Sequence, residues 1–208
     1  RPSDDPAAAA EAERLRAQQS REKLAQRMNG FAVSVLTQAE SALGQVEDTM
    51  QALREQFVRA GNPTLSASDR ASLAVQMRAD RDELLRLANL GDPNGGYVFG
   101  GLGSRSAPFS STAAHQAPAG EQKVGLDAEV PTSLDGQQVF LAVPTDSGPQ
   151  SIFALLDGAI AALEDPAAGS ADVAAAVKAG IDGLDGAMDR VLNKRAELGE
   201  HLKLLDSR

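Results

Sequence analysis

The chain has 208 residues, a net charge of −9, 42% hydrophobic but only 3% aromatic residues, and no cysteine. An acidic balance leaves no basic footprint for nucleic acid, no apolar run is long enough to span a bilayer, and the lack of cysteine excludes disulfides and zinc-thiolate sites. Ala, Leu and Val carry most apolar positions, a mix that favours helices packed on helices.

The start, Ser3-Asp4-Asp5-Pro6, has the form of a helix N-terminus. Ser3 is placed to cap, Asp4 and Asp5 face the positive end of the dipole, and Pro6 falls in the first turn, where a missing N–H costs nothing. The apolar positions Leu24, Met28, Ala32, Val35 and Ala39, then Leu43, Val46, Met50, Leu53, Phe57 and Ala60, recur at steps of three and four. An extra step of four between Ala39 and Leu43 marks a heptad seam with one stutter. Asn29-Gly30 is a possible break in this helix. Gly61-Asn62-Pro63 ends it, and Ser66 with Asp69 opens a second helix that runs to Leu90 before Gly91 and Pro93. A short turn between two helices implies an antiparallel hairpin.

From 92 to 150 the texture changes to Gly, Pro, Ser and Thr with short β-prone runs. Tyr97 to Phe99, the alternation Val124, Leu126, Ala128, Val130, and Val139 to Val143 after the turn signal Leu134-Asp135-Gly136 are the expected strands. Helices return at Ser151 to Leu163 and behind a cap at Ser170, where Val177, Ile181, Leu184, Met188, Val191, Arg195, Leu198, Leu202 and Leu205 form a second seam, broken in character only by Arg195. A seam arginine is either a snorkelling side chain or half of an ion pair. The expected fold is therefore mainly α: an elongated bundle of long antiparallel helices from residues 1–104 with 149–208, carrying a small β-rich insertion over 105–148.

Candidate chemistry is thin. Gly100, Gly101 and Gly103 lack phosphate-loop spacing, and Pro108 interrupts any following helix. Ser110, Ser111 and His115 lack a positioned carboxylate for a triad, and His201 has no second histidine at ligand spacing. Asp80 with Asp82 and Glu83 suits a solvated helix face. In "GIDGLDGAMD", residues 180–189, aspartates alternate with glycines as in a calcium loop, but the heptad register runs straight through, so the glycines are expected to admit a close neighbour instead. No cofactor or metal is expected. Arg54, Glu55, Arg78 and Arg81 are exposed-face candidates for lateral contacts.

Five stretches together resemble one family: RPSDDPAAAAEA at the start, TLSASDRASLA at 64–74, LLRLANLGDPNGGYVFGGLGSRSAPF at 84–109, SIFALLDGAIAAL at 151–163 and NKRAELGEHLKLL at 193–205. The chain resembles the flagellar hook-associated protein 3 family, the hook-filament junction proteins of the flagellin-like superfamily. By that resemblance its motif residues are Ser3, Asp4, Asp5, Pro6, Tyr97, Phe99, Gly100, Pro108, Phe109, Arg195, Leu198 and Gly199, and it is a core fragment lacking the terminal segments that pair as a coiled coil. The resemblance implies a non-enzymatic structural subunit, exported through the flagellar type III pathway without a cleaved signal peptide, with an export chaperone acting on the absent segments. It further implies an extracellular place in the flagellum, in a ring of its own copies, between hook-associated protein 1 on the hook side and flagellin above. A flagellin filament subunit and a cytosolic coiled-coil adaptor are the alternatives.

Overall fold

The computed structural model describes residues 6–93, 95–103, 105–124 and 129–207, so the cap expected at Ser3, Asp4 and Asp5 lies outside the described residues, as do Leu126 and Ala128 of the expected alternating strand. Helix α1 spans Pro6–Ala60 without a break, which at a rise of about 1.5 Å per residue makes a rod of about 80 Å. The helix passes straight through Asn29-Gly30.

The buried seam of α1 is Ala32, Leu36, Ala39, Leu43, Val46, Met50, Leu53, Phe57 and Ala60. This corrects the expected seam at one position. Leu36, at 1% exposure, stands where Val35 was expected, and with it the steps alternate four and three throughout. There is no stutter, because the larger γ-branched side chain takes the inward position and Val35 sits at its edge.

Helix α2 (Ala67–Ala88) returns antiparallel to α1 behind the expected capping box, in which Ser66 Oγ accepts from Asp69 N and Asp69 accepts from Ser66 N. The two-residue strands β1 (Lys123–Val124) and β2 (Val130–Pro131) form one antiparallel ladder. The Tyr97 region contributes an isolated bridge to Gly91 and turns in place of a strand. Helix α3 (Gly136–Phe140) takes the first two residues of the run expected as the Val139–Val143 strand, and at its far end Val143 makes only an isolated bridge to Gln150. Asp135 explains the difference: its carboxylate accepts from Gln137 N at 2.9 Å, so the expected turn signal is an N-cap.

Helix α4 (Ile152–Glu164) starts at Ser151 as expected and buries Phe153, Leu156, Ile160 and Leu163. Helix α5 (Ser170–Asp206) is capped one residue earlier than expected, at Gly169, whose N–H donates to Asp172. It runs antiparallel to α1: Gly61 meets Val177, Gly180 meets Phe57, Arg54 bonds Asp185, and Arg195 bonds Glu40 and Glu47. Continuing that register sets the end of α5 beside the residues just after Phe31. Residues 6–31 of α1 thus extend past α5 for about 40 Å, and no described side chain there is buried. No helix among the described residues is long and apolar enough to cross a membrane.

Candidate functional site

Where α2 ends, the chain enters the quoted 84–109 stretch, and the structure fastens it in three ways. Asn89, the C-cap of α2, clamps the backbone of Phe109: its Nδ2 donates to Phe109 O at 3.0 Å and its Oδ1 accepts from Phe109 N at 2.9 Å. Val98 N donates to Leu90 O and Leu134 N donates to Val98 O, so the turn after α2 is threaded between the helix end and the segment before α3. Four phenylalanines then pool. Phe140 contacts Phe99 at 5.1 Å and Phe109 at 5.5 Å, both edge to face, and Phe153 at 5.8 Å, stacked. Four of the chain's seven aromatic residues thus sit where α2, α3, α4 and the loop meet; Phe99 is fully buried and Tyr97 is half-exposed.

The glycines of this stretch serve backbone packing. Gly101 has φ +61°, and a Cβ there would lie 1.9 Å from Pro118 O. Pro108 is buried, and its carbonyl accepts from Gln116 N at 2.8 Å.

Ion pairs bind the helices to one another. Arg81, only 7% exposed, is held by Asp157 of α4 at 2.8 and 3.0 Å and lies over the Phe153 ring at 5.3 Å. Arg78 bonds Glu164 at 2.5 Å, which lowers the Glu164 carboxyl below its ordinary range because the hydrogen bond favours its charged form. Arg195 bridges Glu40 and Glu47 of α1, chiefly the former, and its own pKa rises accordingly. The seam arginine is therefore an ion-pair residue and not a snorkelling one. Arg54, Arg78 and Arg81, expected on exposed faces, are all turned to partners within the chain, and Arg81 is buried; of that set Glu55 alone is fully exposed with no ion pair among the described residues.

Lys194 is a member that sequence pattern missed. It sits at 9% exposure between Glu121 (2.5 Å) and Glu197 (2.9 Å). Burial opposes its charge, but the two carboxylates outweigh that penalty and its pKa rises. Its neighbour Arg195 occupies the nominal heptad position, and Glu121 lies in an irregular loop, so no periodicity could have joined them.

The residues expected to be chemically idle have structural partners. Ser110 Oγ accepts from Thr112 N and Ala114 N in a tight turn, and His115 packs against the Phe109 ring at 5.2 Å. Asp80 accepts from Gln56, and Glu83 pairs with Arg86. His201 lies 4.0 Å from Glu197. Helix α5 continues unbroken through 180–189, with Gly180 against Phe57, Gly183 against Leu155 and Gly186 against Val143. Leu198 is buried and Gly199 is half-buried on the same helix. Among the described residues no group of His, Asp and Glu side chains is placed to hold a metal ion.

This architecture has relatives. Residues 1–104 match the family described as the bacterial flagellin N-terminal helical region. Flagellar hook-associated protein 3 of Escherichia coli K12 is 37% identical over 221 aligned residues, and that of Salmonella typhimurium LT2 is 36% identical over 223; each alignment covers 99% of this chain and 70% of the relative. The crystal structure of the flagellar junction protein FlgL from Legionella pneumophila superposes with a TM-score of 0.82 at 19% identity, covering 95% of this chain and all of that one, which supports the fold. With identity at this level along nearly its whole length and a rod of the same architecture, the chain belongs to the family of flagellar hook-associated protein 3, structural proteins of the bacterial flagellum.

Proposed function

We propose that the protein works at the junction between flagellar hook and filament as a non-catalytic subunit, standing side by side with its own copies in a ring. Hook-associated protein 1 would lie on its hook side and flagellin on its filament side. The observation that carries this reading is the placement of the charged groups: Arg54, Arg78, Arg81 and Arg195, buried or half-buried, each join two helices of the rod, and Lys194 joins α5 to the loop at Glu121. Rigid helices stapled in this way present fixed outer faces to neighbours, and heterologous contacts about an axis close into rings or continue as tubes.

Three further elements belong to this proposal. Residues 105–148 act as a small accessory unit on the rod. The chain reaches the cell exterior through the flagellar export channel without a cleaved signal, aided by an export chaperone that engages segments outside these 208 residues. The motif residues around the Asn89 clamp keep the helical and loop parts in one fixed relation.

The test is complementation. A motile bacterium lacking its own junction protein receives the parent chain, and cells are scored by electron microscopy. Filaments attached to hooks are the expected result. Bare hooks with flagellin shed into the medium, given confirmed secretion, would overturn the proposal.

A further inference from the structure

The start of α1 and the end of α5 lie toward one end of the rod, the latter beside Phe31. The other end is the turn between α1 and α2, about 40 Å away along the helix from Phe31 to Arg59. There α1 and α4 each pack on both α2 and α5. The four helices therefore make a square, and the α1–α2 edge lies across the bundle from the α4–α5 edge.

The α4–α5 edge carries a knob. Val143 N donates to Gln150 O at 3.0 Å and Gln150 N to Val143 O at 2.8 Å, and the turn between them is closed by Gly148 N on Thr145 O at 2.9 Å and by Thr145 Oγ1 on Gly148 O at 2.6 Å. Pro144 and Pro149 flank this turn, each with a ring-fixed φ. Pro144, Asp146, Ser147 and Pro149 are all exposed, so a rigid tip is built here that adds little to the core. Its base rests on α5, where Gly186 admits Val143 and Pro144, and the tip stands beside Ala179 and Asp182.

The α1–α2 edge carries a hole. A groove of about 480 Å³ lies between Arg59 of α1 and Asp69, Ser72, Leu73 and Gln76 of α2, with Leu65 of the turn at its end. Asp69 is occupied by the cap, accepting from Ser66 N and Oγ. Arg59 is exposed and without an ion pair among the described residues, and Glu55, one turn earlier, does not line the groove. On the knob, Lys178 is bonded to Asp182 and feels Asp146 only through space. Asp146 is exposed and likewise without an ion pair among the described residues. Hole and knob stand at one height: Gly61 lies against Val177 and Gly180 against Phe57, which sets Arg59 level with residues 177–180 of α5.

We propose that the 144–149 tip of one copy seats in the α1–α2 groove of the next, with Asp146 on Arg59. The proposal rests on the ring-subunit reading and names one of its contacts. Knob and hole lie on opposite sides at one height, so the contact passes sideways from copy to copy without a step along the rod, as a ring requires. A tip that is already rigid loses little freedom on docking.

The chain has no cysteine, so disulfide cross-linking of the S72C/S147C variant reads the contact directly. Within one copy the two positions lie across the bundle, beyond the Cα separation of about 7 Å that a disulfide spans. Oxidation of the 208-residue chain should give a ladder of dimers, trimers and larger species, whereas S72C or S147C alone should stop at dimers. Adding R59D or D146R, each checked for helicity by circular dichroism, should slow cross-linking by about tenfold or more, and the two together should restore it. A chain that stays monomeric on oxidation, cross-linking indifferent to R59D and D146R, or a double charge exchange that fails to recover would overturn the contact. Complementation with the parent chain separates the two proposals: filaments attached equally with and without D146R sink this contact and leave the ring subunit standing, whereas bare hooks with the unmodified chain sink the ring subunit itself.

Discussion

Gly180 and Gly199 lie on the same helix, yet alanine should have opposite effects at the two. A methyl group at 180 would sit 2.7 Å from the Phe57 ring. Phe57 is fully buried in the α1 seam, so the ring cannot retreat into solvent. Overpacking of this kind costs about 1–3 kcal/mol, and the change from glycine to alanine inside a helix returns about 1 kcal/mol. The net expectation for Gly180→Ala is a loss of about 1 kcal/mol. At Gly199 nothing lies within 4 Å of the added methyl, leaving only the helix-propensity gain of up to about 1 kcal/mol. Urea unfolding followed by circular dichroism gives both values from shifts in midpoint at constant slope. The difference should be about 2 kcal/mol. If Gly180→Ala proved as stabilising as Gly199→Ala, α1 and α5 would not approach closely at Phe57 and Gly180.

Three other outcomes are expected. Arg81→Lys should lower stability by about 1–2 kcal/mol, because an ammonium can neither make the bidentate contact to Asp157 nor lie flat over Phe153; thermal unfolding at neutral pH measures it, and an unchanged Tm would show that the guanidinium's shape is irrelevant. Asn89→Ala should cost about 2 kcal/mol by leaving the N–H and C=O of Phe109 without their partner. Hydrogen exchange should then rise first at residues 97–109, whereas uniform protection would mean that Asn89 does not secure the junction. Glu164 and Asp69 have carboxyl groups held below their ordinary values of 4.5 and 3.8, by hydrogen bonds with Arg78 and Ser66 respectively. A depressed folded-state pKa contributes stability that is complete above the unfolded value and is lost as pH falls through the folded one. Stability should thus decline below about pH 4.5, and Arg78→Gln should shallow that decline; a slope unchanged by the substitution would remove Glu164 from the account.

What the sequence shows depends on whether a feature is periodic or pairwise. The long helices are periodic, so α1, α2, α4 and α5 could be placed from apolar spacing and from Ser66 and Ser151, since each cap acts within three residues of itself. Choosing Val35 over Leu36 is a smaller error of the same kind: both are apolar, and only the facing helix decides which turns inward. The middle segment was harder to resolve because a cap and a turn use the same residues. Asp135-Gly136 suits a hairpin or a helix start, and what settles it is the carboxylate on Gln137 N and the burial of Phe140 among Phe99, Phe109 and Phe153, contacts that join four separate parts of the chain. Charged residues defeat sequence pattern most completely. Arg78, Arg81 and Lys194 fall at positions where a solvated helix face is the ordinary expectation, and their partners Glu164, Asp157 and Glu121 lie more than seventy residues away. Their full or partial burial follows from composition: with aromatics at only 3%, the flanks of the helix contacts have few bulky side chains to fill them, and the long stems of arginine and lysine supply that apolar area while their heads find carboxylates on the next helix or, for Lys194, on the loop at Glu121. In this chain, therefore, the same cations that make the sequence look like a freely solvated rod are those that hold its helices in one fixed arrangement.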